Sequence, residues 1–158
     1  KGIGSGVPTA AVLAESRLFA SLGPGEMSST TGGNPLSCAA GLAVLEIMEE
    51  EHLADNALKV GGMMLERLQR TAEQFEVLGD VGGRGLVIGL EFVEEKATRT
   101  PSEAITKEVV SRCCQAGLLV GRVGIHGNVI RVAPPLVITE EEAEEALDIL
   151  EEVLKGLA

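Results

Sequence analysis

The sequence has no tryptophan and no tyrosine, and phenylalanine occurs only three times in 158 residues. Aromatic platforms on which nucleic-acid bases stack are therefore nearly absent. Positive charge is scarce as well. Thirteen Lys and Arg stand against 24 Asp and Glu, giving a net charge of −11. Such a chain repels phosphate backbones and anionic membranes, so neither nucleic acid nor membrane is an expected partner. No apolar run nears the roughly 20 residues that span a bilayer, and no secretory signal pattern is visible. The three cysteines, Cys38, Cys113 and Cys114, form no CxxC pair, and His52 and His126 lie apart. No metal site is expected from these spacings. Reduced thiols and a cytoplasmic location are expected instead, with Cys38 in the core and both histidines at the surface.

What is present is 45% hydrophobic residues, enough for a packed core. The length suits one ordinary domain, or a small domain plus a piece of another. In "GNPLSCAAGLAVLEIMEEEH", Asn34 is a good N-cap and Pro35 suits the first helical turn. Leu36, Ala39, Ala40, Ala43, Val44 and Ile47 then fall on one face. A second helical stripe runs through Ala54, Ala57, Leu58, Gly61, Met64, Leu65 and Leu68. Gly61-Gly62 in its middle costs about 1 kcal/mol per residue in a helix, and a close crossing or a break would explain the pair.

The texture changes after Phe75. "VLGDVGGRGLVIGLEFVEE" predicts two strands around a Gly-rich turn, with Leu86, Ile88, Leu90 and Phe92 on one face. Thr100, Pro101 and Glu103 predict a capping box and a helix ending at Gly117. "LLVGRV" and "NVIRVAP" predict two short strands. Thr139 and Glu142 predict a second capping box, opening a helix with acidic residues in its first turn, where the dipole favours them. Residues 77–158 thus read β-β-α-β-β-α, a small α+β unit with an antiparallel or mixed sheet. Residues 1–76 hold a Gly-rich loop, one small apolar strand at Val7–Leu13, a long loop and two helices. They read as the end of a larger domain, with a linking helix.

Three features could carry chemistry. Lys1 stands before glycines at positions 2, 4 and 6. A desolvated lysine amine forms Schiff bases, and glycines let backbone approach a flat cofactor. A solvated lysine is the plain alternative. In "SSTTGGNP", hydroxyls at Ser28, Ser29, Thr30 and Thr31 precede a helix start. That suits a phosphate, or simply an N-capping loop. Arg131 lies inside the apolar "NVIRVAPPL". If partly buried there it needs an anion, either a ligand carboxylate or a structural glutamate.

In their order, "KGIGSGVPTAAVLA", "STTGGNPLSCAAGLAVLEIMEEE", "GDVGGRGLVIGLEF" and "GNVIRVAPPLVITEEE" resemble the C-terminal portion of class III aminotransferases. These are fold-type I pyridoxal-phosphate enzymes of the 4-aminobutyrate, acetylornithine and alanine–glyoxylate aminotransferase type. The resemblance covers essentially the whole chain. It implies an α/β and α+β fold, in which residues 1–76 end the cofactor-binding large domain and residues 77–158 form the small C-terminal domain. It implies that Lys1 holds pyridoxal 5'-phosphate, and when released serves as acid and base. It implies that Thr30 binds cofactor phosphate in the neighbouring subunit of a homodimer, and that Arg131 pairs with the substrate carboxylate. The substrates would be amino acids, omega-amino acids included, and 2-oxo acids. One departure is Gly82, where the family usually has arginine; Arg84 stands two positions later. The family's cofactor-stacking aromatic, pyridine-nitrogen aspartate and first phosphate loop precede the lysine, so this chain alone is expected to be inactive. Other readings are an aminomutase, decarboxylase or phospho-lyase of the same family, or a non-catalytic interaction domain.

Overall fold

A computed structural model describes residues 2–157; Lys1 and Ala158 lie outside the described residues. By its contacts the chain divides into two units, residues 1–52 and 53–158.

The first unit begins with two tight turns, closed by Ser5 N–H to Gly2 O and Val7 N–H to Gly4 O. A short helix α1 (Ser16–Phe19) and the longer α2 (Pro35–Glu50) follow. The strand expected at Val7–Leu13 does not form: the segment has no regular structure. A strand needs a pairing neighbour, and none exists among the described residues of this unit. Asn34 caps α2 as expected, its Oδ1 accepting from Ser37 N–H at 3.0 Å. The expected apolar face of α2 is not buried. Only Gly41 is buried, while Leu36, Leu42, Leu45 and Ile47 are exposed. Cys38, expected in the core, is exposed too.

The second unit is built on α3 (Leu53–Gln74), β1 (Leu78–Arg84), β2 (Val87–Phe92), α4 (Glu103–Gln115), β3 (Gly121–Val123), β4 (Val129–Val132) and α5 (Glu140–Lys155). The four strands form one sheet in the order β1-β2-β4-β3. Every pairing is antiparallel. Leu86, Ile88, Leu90 and Phe92 are all buried, as their alternation predicted. They meet Val60, Met64 and Leu68 of α3, Val109 and Cys113 of α4, and Leu147, Leu150 and Leu154 of α5 in one core. The three helices thus cover one face of the sheet. The texture change near residue 76 marks where strands begin, not where packing divides, because the stripe of α3 is completed by β1 and α5.

Thr139 and Glu142 form the expected capping box. The other helix starts differently: Ser102, not Thr100, is its N-cap, with its Oγ accepting from Ile105 N–H. Pro101 is held in a β-bridge to Val93, which keeps the chain extended one step further. Gly61-Gly62 neither breaks α3 nor marks a helix crossing. Gly61 lies against the β1–β2 turn, where a Cβ would come within 2.2 Å of the Gly85 carbonyl.

Helices α3 and α5 are also joined by charge. Arg67, whose side chain is 19% exposed, pairs with Glu144, Asp148 and Glu151 of α5. Thr71 Oγ1 donates to the same Glu151 at 2.8 Å. The Arg67 hydrogen bond holds the Glu151 carboxyl below its ordinary value. A carboxyl depressed in the folded state stabilises above its unfolded pKa, and that contribution is lost as pH falls through the folded value. Arg67→Met is expected to cost about 1.5–3 kcal/mol near neutral pH, the range for hydrogen bonds to charged groups. Urea unfolding of both forms at pH 7 and pH 3 checks it: the difference is expected to shrink at the lower pH.

Candidate active site

The segment after the N-terminal turns, the loop before α2 and the first turn of α2 border a half-open cavity of about 890 Å³ within the first unit. One wall is Gly6–Ala10. The other comprises Ser29, Thr31, Gly32, Gly33, Asn34, Ser37 and Cys38. The two walls are tied together, because Ser37 Oγ donates to the Pro8 carbonyl at 3.2 Å. Gly41 of α2 fits against the same segment, its Cβ position lying 3.7 Å from Ile3 O and 3.8 Å from Thr9 Cγ2. Gly4 is required in the turn before it, since a Cβ there would sit 2.2 Å from Val7 O.

Among the described residues the cavity wall carries the apolar Val7, Pro8 and Ala10 beside hydroxyls, glycine backbone, one amide and one thiol, and no carboxylate. In a chain of net charge −11, an anion here meets no carboxylate in the wall itself. The end of α2 contributes less than its position suggests. Pro35 has no N–H, and Asn34 already takes the Ser37 N–H. Anion donors here are therefore the loop's hydroxyls and backbone. Thr30 is exposed and does not line the cavity, although Ser29 and Thr31 on either side of it do. Lys1 lies outside the described residues.

Arg131 lies in the other unit, on β4, opposite Gly89 of β2 and Gly121 of β3. The condition of partial burial is not met, because of the strand's alternation. Ile130 enters the core at 0% exposure, and Arg131, next to it on the strand, is exposed. Among the described residues no ion pair holds Arg131, so the structural-glutamate alternative finds no support. Gly82 lies opposite Gly89. A Cβ there would approach only Asp80 Oδ2, at 3.7 Å, so the fold itself does not require glycine at that position. Cys113 is buried, and desolvation pushes its thiol up to about 11, which leaves it unreactive. No group of three or more potential metal ligands clusters among the described residues.

Residues 1–154 match the family Aminotransferase class-III. The chain belongs to that family. Among curated relatives it is 40% identical over 151 residues to alanine–glyoxylate aminotransferase 2 homolog 2, mitochondrial, of Arabidopsis thaliana, covering 94% of this chain and 32% of that protein. It is 41% identical over 155 residues to an alanine/serine racemase of Pyrococcus horikoshii, covering 98% and 32%. The fold matches an amine transaminase from an uncultivated Pseudomonas species, solved in its PLP-bound form. There the TM-score is 0.77 and the identity 38%, over 84% of this chain and 30% of that one. The chain thus spans about a third of the length of the proteins it matches. No helix among the described residues is long and apolar enough to cross a membrane.

Of the residues lining the cavity, Thr9 and Ser37 were not singled out from sequence. Ser37 bonds to Pro8 across 29 residues and Thr9 Cγ2 lies beside Gly41, whereas the "PT" and "PLS" runs that contain them signal only turn and helix start.

Proposed function

We propose that this chain is the part of a pyridoxal-phosphate-dependent aminotransferase that carries the cofactor lysine, a phosphate-binding loop and the carboxylate-binding arginine. The whole protein would move an amino group from an amino acid, omega-amino acids included, to a 2-oxo acid. Family membership supports this reading. The observation that carries it is the carboxylate-free, hydroxyl- and glycine-lined cavity in an otherwise acidic chain. Its volume lies within the range of cofactor sites, and its donors suit an anionic group. The residues present therefore fit the phosphate end of pyridoxal phosphate.

When bound, the cofactor supplies the electron sink for charge developing at the substrate Cα. The chain's own residues do the rest. Lys1 holds the cofactor through its amine, then moves the Cα proton once that amine is free. Thr30 donates its hydroxyl and N–H to a phosphate. Its exposure, outside its own chain's cavity, supports a role in the neighbouring subunit's site of a homodimer. The exposed apolar side chains of α2 support burial in such an assembly. Arg131 offers two parallel N–H donors to the substrate carboxylate. Free Cys38, Cys113 and Cys114 support a reducing compartment, in keeping with a cytoplasmic location.

Arg131→Lys in the whole enzyme tests the reading. Lysine keeps the charge and loses the planar fork. Carboxylate-bearing donors are expected to lose about 1.5–3 kcal/mol of kcat/KM more than simple amines, as for a hydrogen bond to a charged group. Equal losses for both would point to a structural role. Product analysis in the same assay separates transamination from racemisation, decarboxylation or phosphate elimination.

A further inference from the structure

Arg131 receives no side-chain support from the residues paired with it. Both cross-strand neighbours, Gly89 and Gly121, are glycines. Its aim therefore depends on where the backbones of β4 and its neighbours lie. On one side β2 is fixed by its buried residues. On the other side β3 is only three residues long and forms the sheet edge. An edge strand this short needs an anchor beyond its ladder. Leu118 and Val120, just before it, pack against the core, and at the strand itself a polar anchor is added by the residue after Gly121: Arg122 pairs with Glu103, in the first turn of α4. Glu103 also holds Lys107 at 3.0 Å. The β3–β4 loop returns over this pair. Gly127, with φ of 61°, lies so close that a Cβ would meet Arg122 Nη1 at 2.8 Å. Arg122 and Arg131 stand on adjacent strands, and Arg122 lies directly opposite Ile130, the residue before Arg131.

We infer that Arg122 and Glu103 are positioning residues, a latch that ties edge strand β3 to α4 and so sets the aim of Arg131 toward substrate carboxylate. The inference rests on the reading of Arg131 given above. The latch acts through the strand and touches no substrate. Its side chains are 34% and 50% exposed, so its effect is that of a partly screened ion pair.

The test measures KM and kcat of the whole holoenzyme with a carboxylate-bearing amino donor and with a simple amine. Arg122→Gln and Glu103→Gln are each expected to raise KM for the carboxylate donor about two- to five-fold, the fold-change equivalent of a partly exposed ion pair. KM for the amine, and kcat for both, should stay within experimental scatter. Arg122→Lys should recover most of the loss, and so should the exchanged pair Glu103→Arg with Arg122→Glu. Unchanged KM, or equal changes with both substrates, would overturn the latch. Failure of both rescues would also overturn it. Arg131→Lys run in parallel separates the two claims. If it discriminates between the substrates and the Arg122 and Glu103 variants do not, the latch alone fails. If it does not discriminate, the reading of Arg131 fails first. Should Arg122→Gln not fold, Glu103→Gln and Arg122→Lys still decide the question.

Discussion

Lys1→Ala in the whole enzyme is expected to lower turnover by roughly 10²–10⁴-fold or more, the range attributed to a positioned general base. The reason is chemical. Arginine or glutamine can bind beside a cofactor, but only an amine can join to an aldehyde and later be released as a proton carrier. Removing the side chain deprives the Cα proton of its acceptor. Cofactor affinity should fall less, because the phosphate contacts proposed above, that of Thr30 included, would remain. Single-turnover absorbance after mixing variant holoenzyme with amino donor checks this. Donor should still bind and perturb the cofactor spectrum, with no progress to the amino form. Turnover near the wild-type rate would show that Lys1 is an ordinary lysine.

The second large effect is on stability, and it has a built-in control. Gly61→Ala is expected to destabilise the second unit by about 2–3 kcal/mol, the upper part of the range for overpacking. The added Cβ would meet backbone: the Gly85 carbonyl carbon and oxygen at 2.2 Å and its Cα at 2.8 Å. Backbone cannot swing aside as a side chain can. The turn is itself constrained, with Gly85 at φ 55°. At Gly62, one residue on, nothing lies within 4 Å of a Cβ. Gly62→Ala should therefore stabilise by about 0.5–1 kcal/mol through helix propensity alone. Urea midpoints of the two variants should move in opposite directions. A gain at both positions would mean that α3 does not rest on the turn.

These neighbours also show what the sequence could disclose. Gly61-Gly62 was visible as an anomaly in a helical stripe, but which glycine mattered depended on a turn more than 20 residues away. The capping box at Thr139 and Glu142 was legible because both partners lie within one turn. Ser102 replaced Thr100 as a cap because of a bridge to Val93, which no local pattern reveals. The buried row from Leu86 to Phe92 was legible from alternation. The same rule, applied to "NVIRV", puts Arg131 on the face opposite Ile130. Apolar neighbours in the sequence suggested burial that the strand's parity does not give. The strand expected at Val7–Leu13 rested on composition alone, and strands exist only with partners.

The candidate site was legible in a different way. Lys1, Thr30 and Arg131 were marked by residue type and context, but their roles came from resemblance to a family. What the fold adds is the absence of carboxylates among the described residues around one cavity, the exclusion of Thr30 from it, and the exposure of Arg131. The first two depend on contacts between segments distant in sequence; the third follows from strand parity once the strand is placed. The Arg122–Glu103 pair, 19 residues apart, had no sequence signal at all.

The central claim is that Lys1 carries pyridoxal phosphate. The most direct measurement is peptide mass spectrometry of the whole holoenzyme after borohydride reduction, which fixes the cofactor to the amine that held it. The expected result is a phosphopyridoxyl group on the peptide containing Lys1, and none on Lys59, Lys96, Lys107 or Lys155. Attachment to another lysine, or no attachment in a protein that has been saturated with the cofactor, would contradict the account.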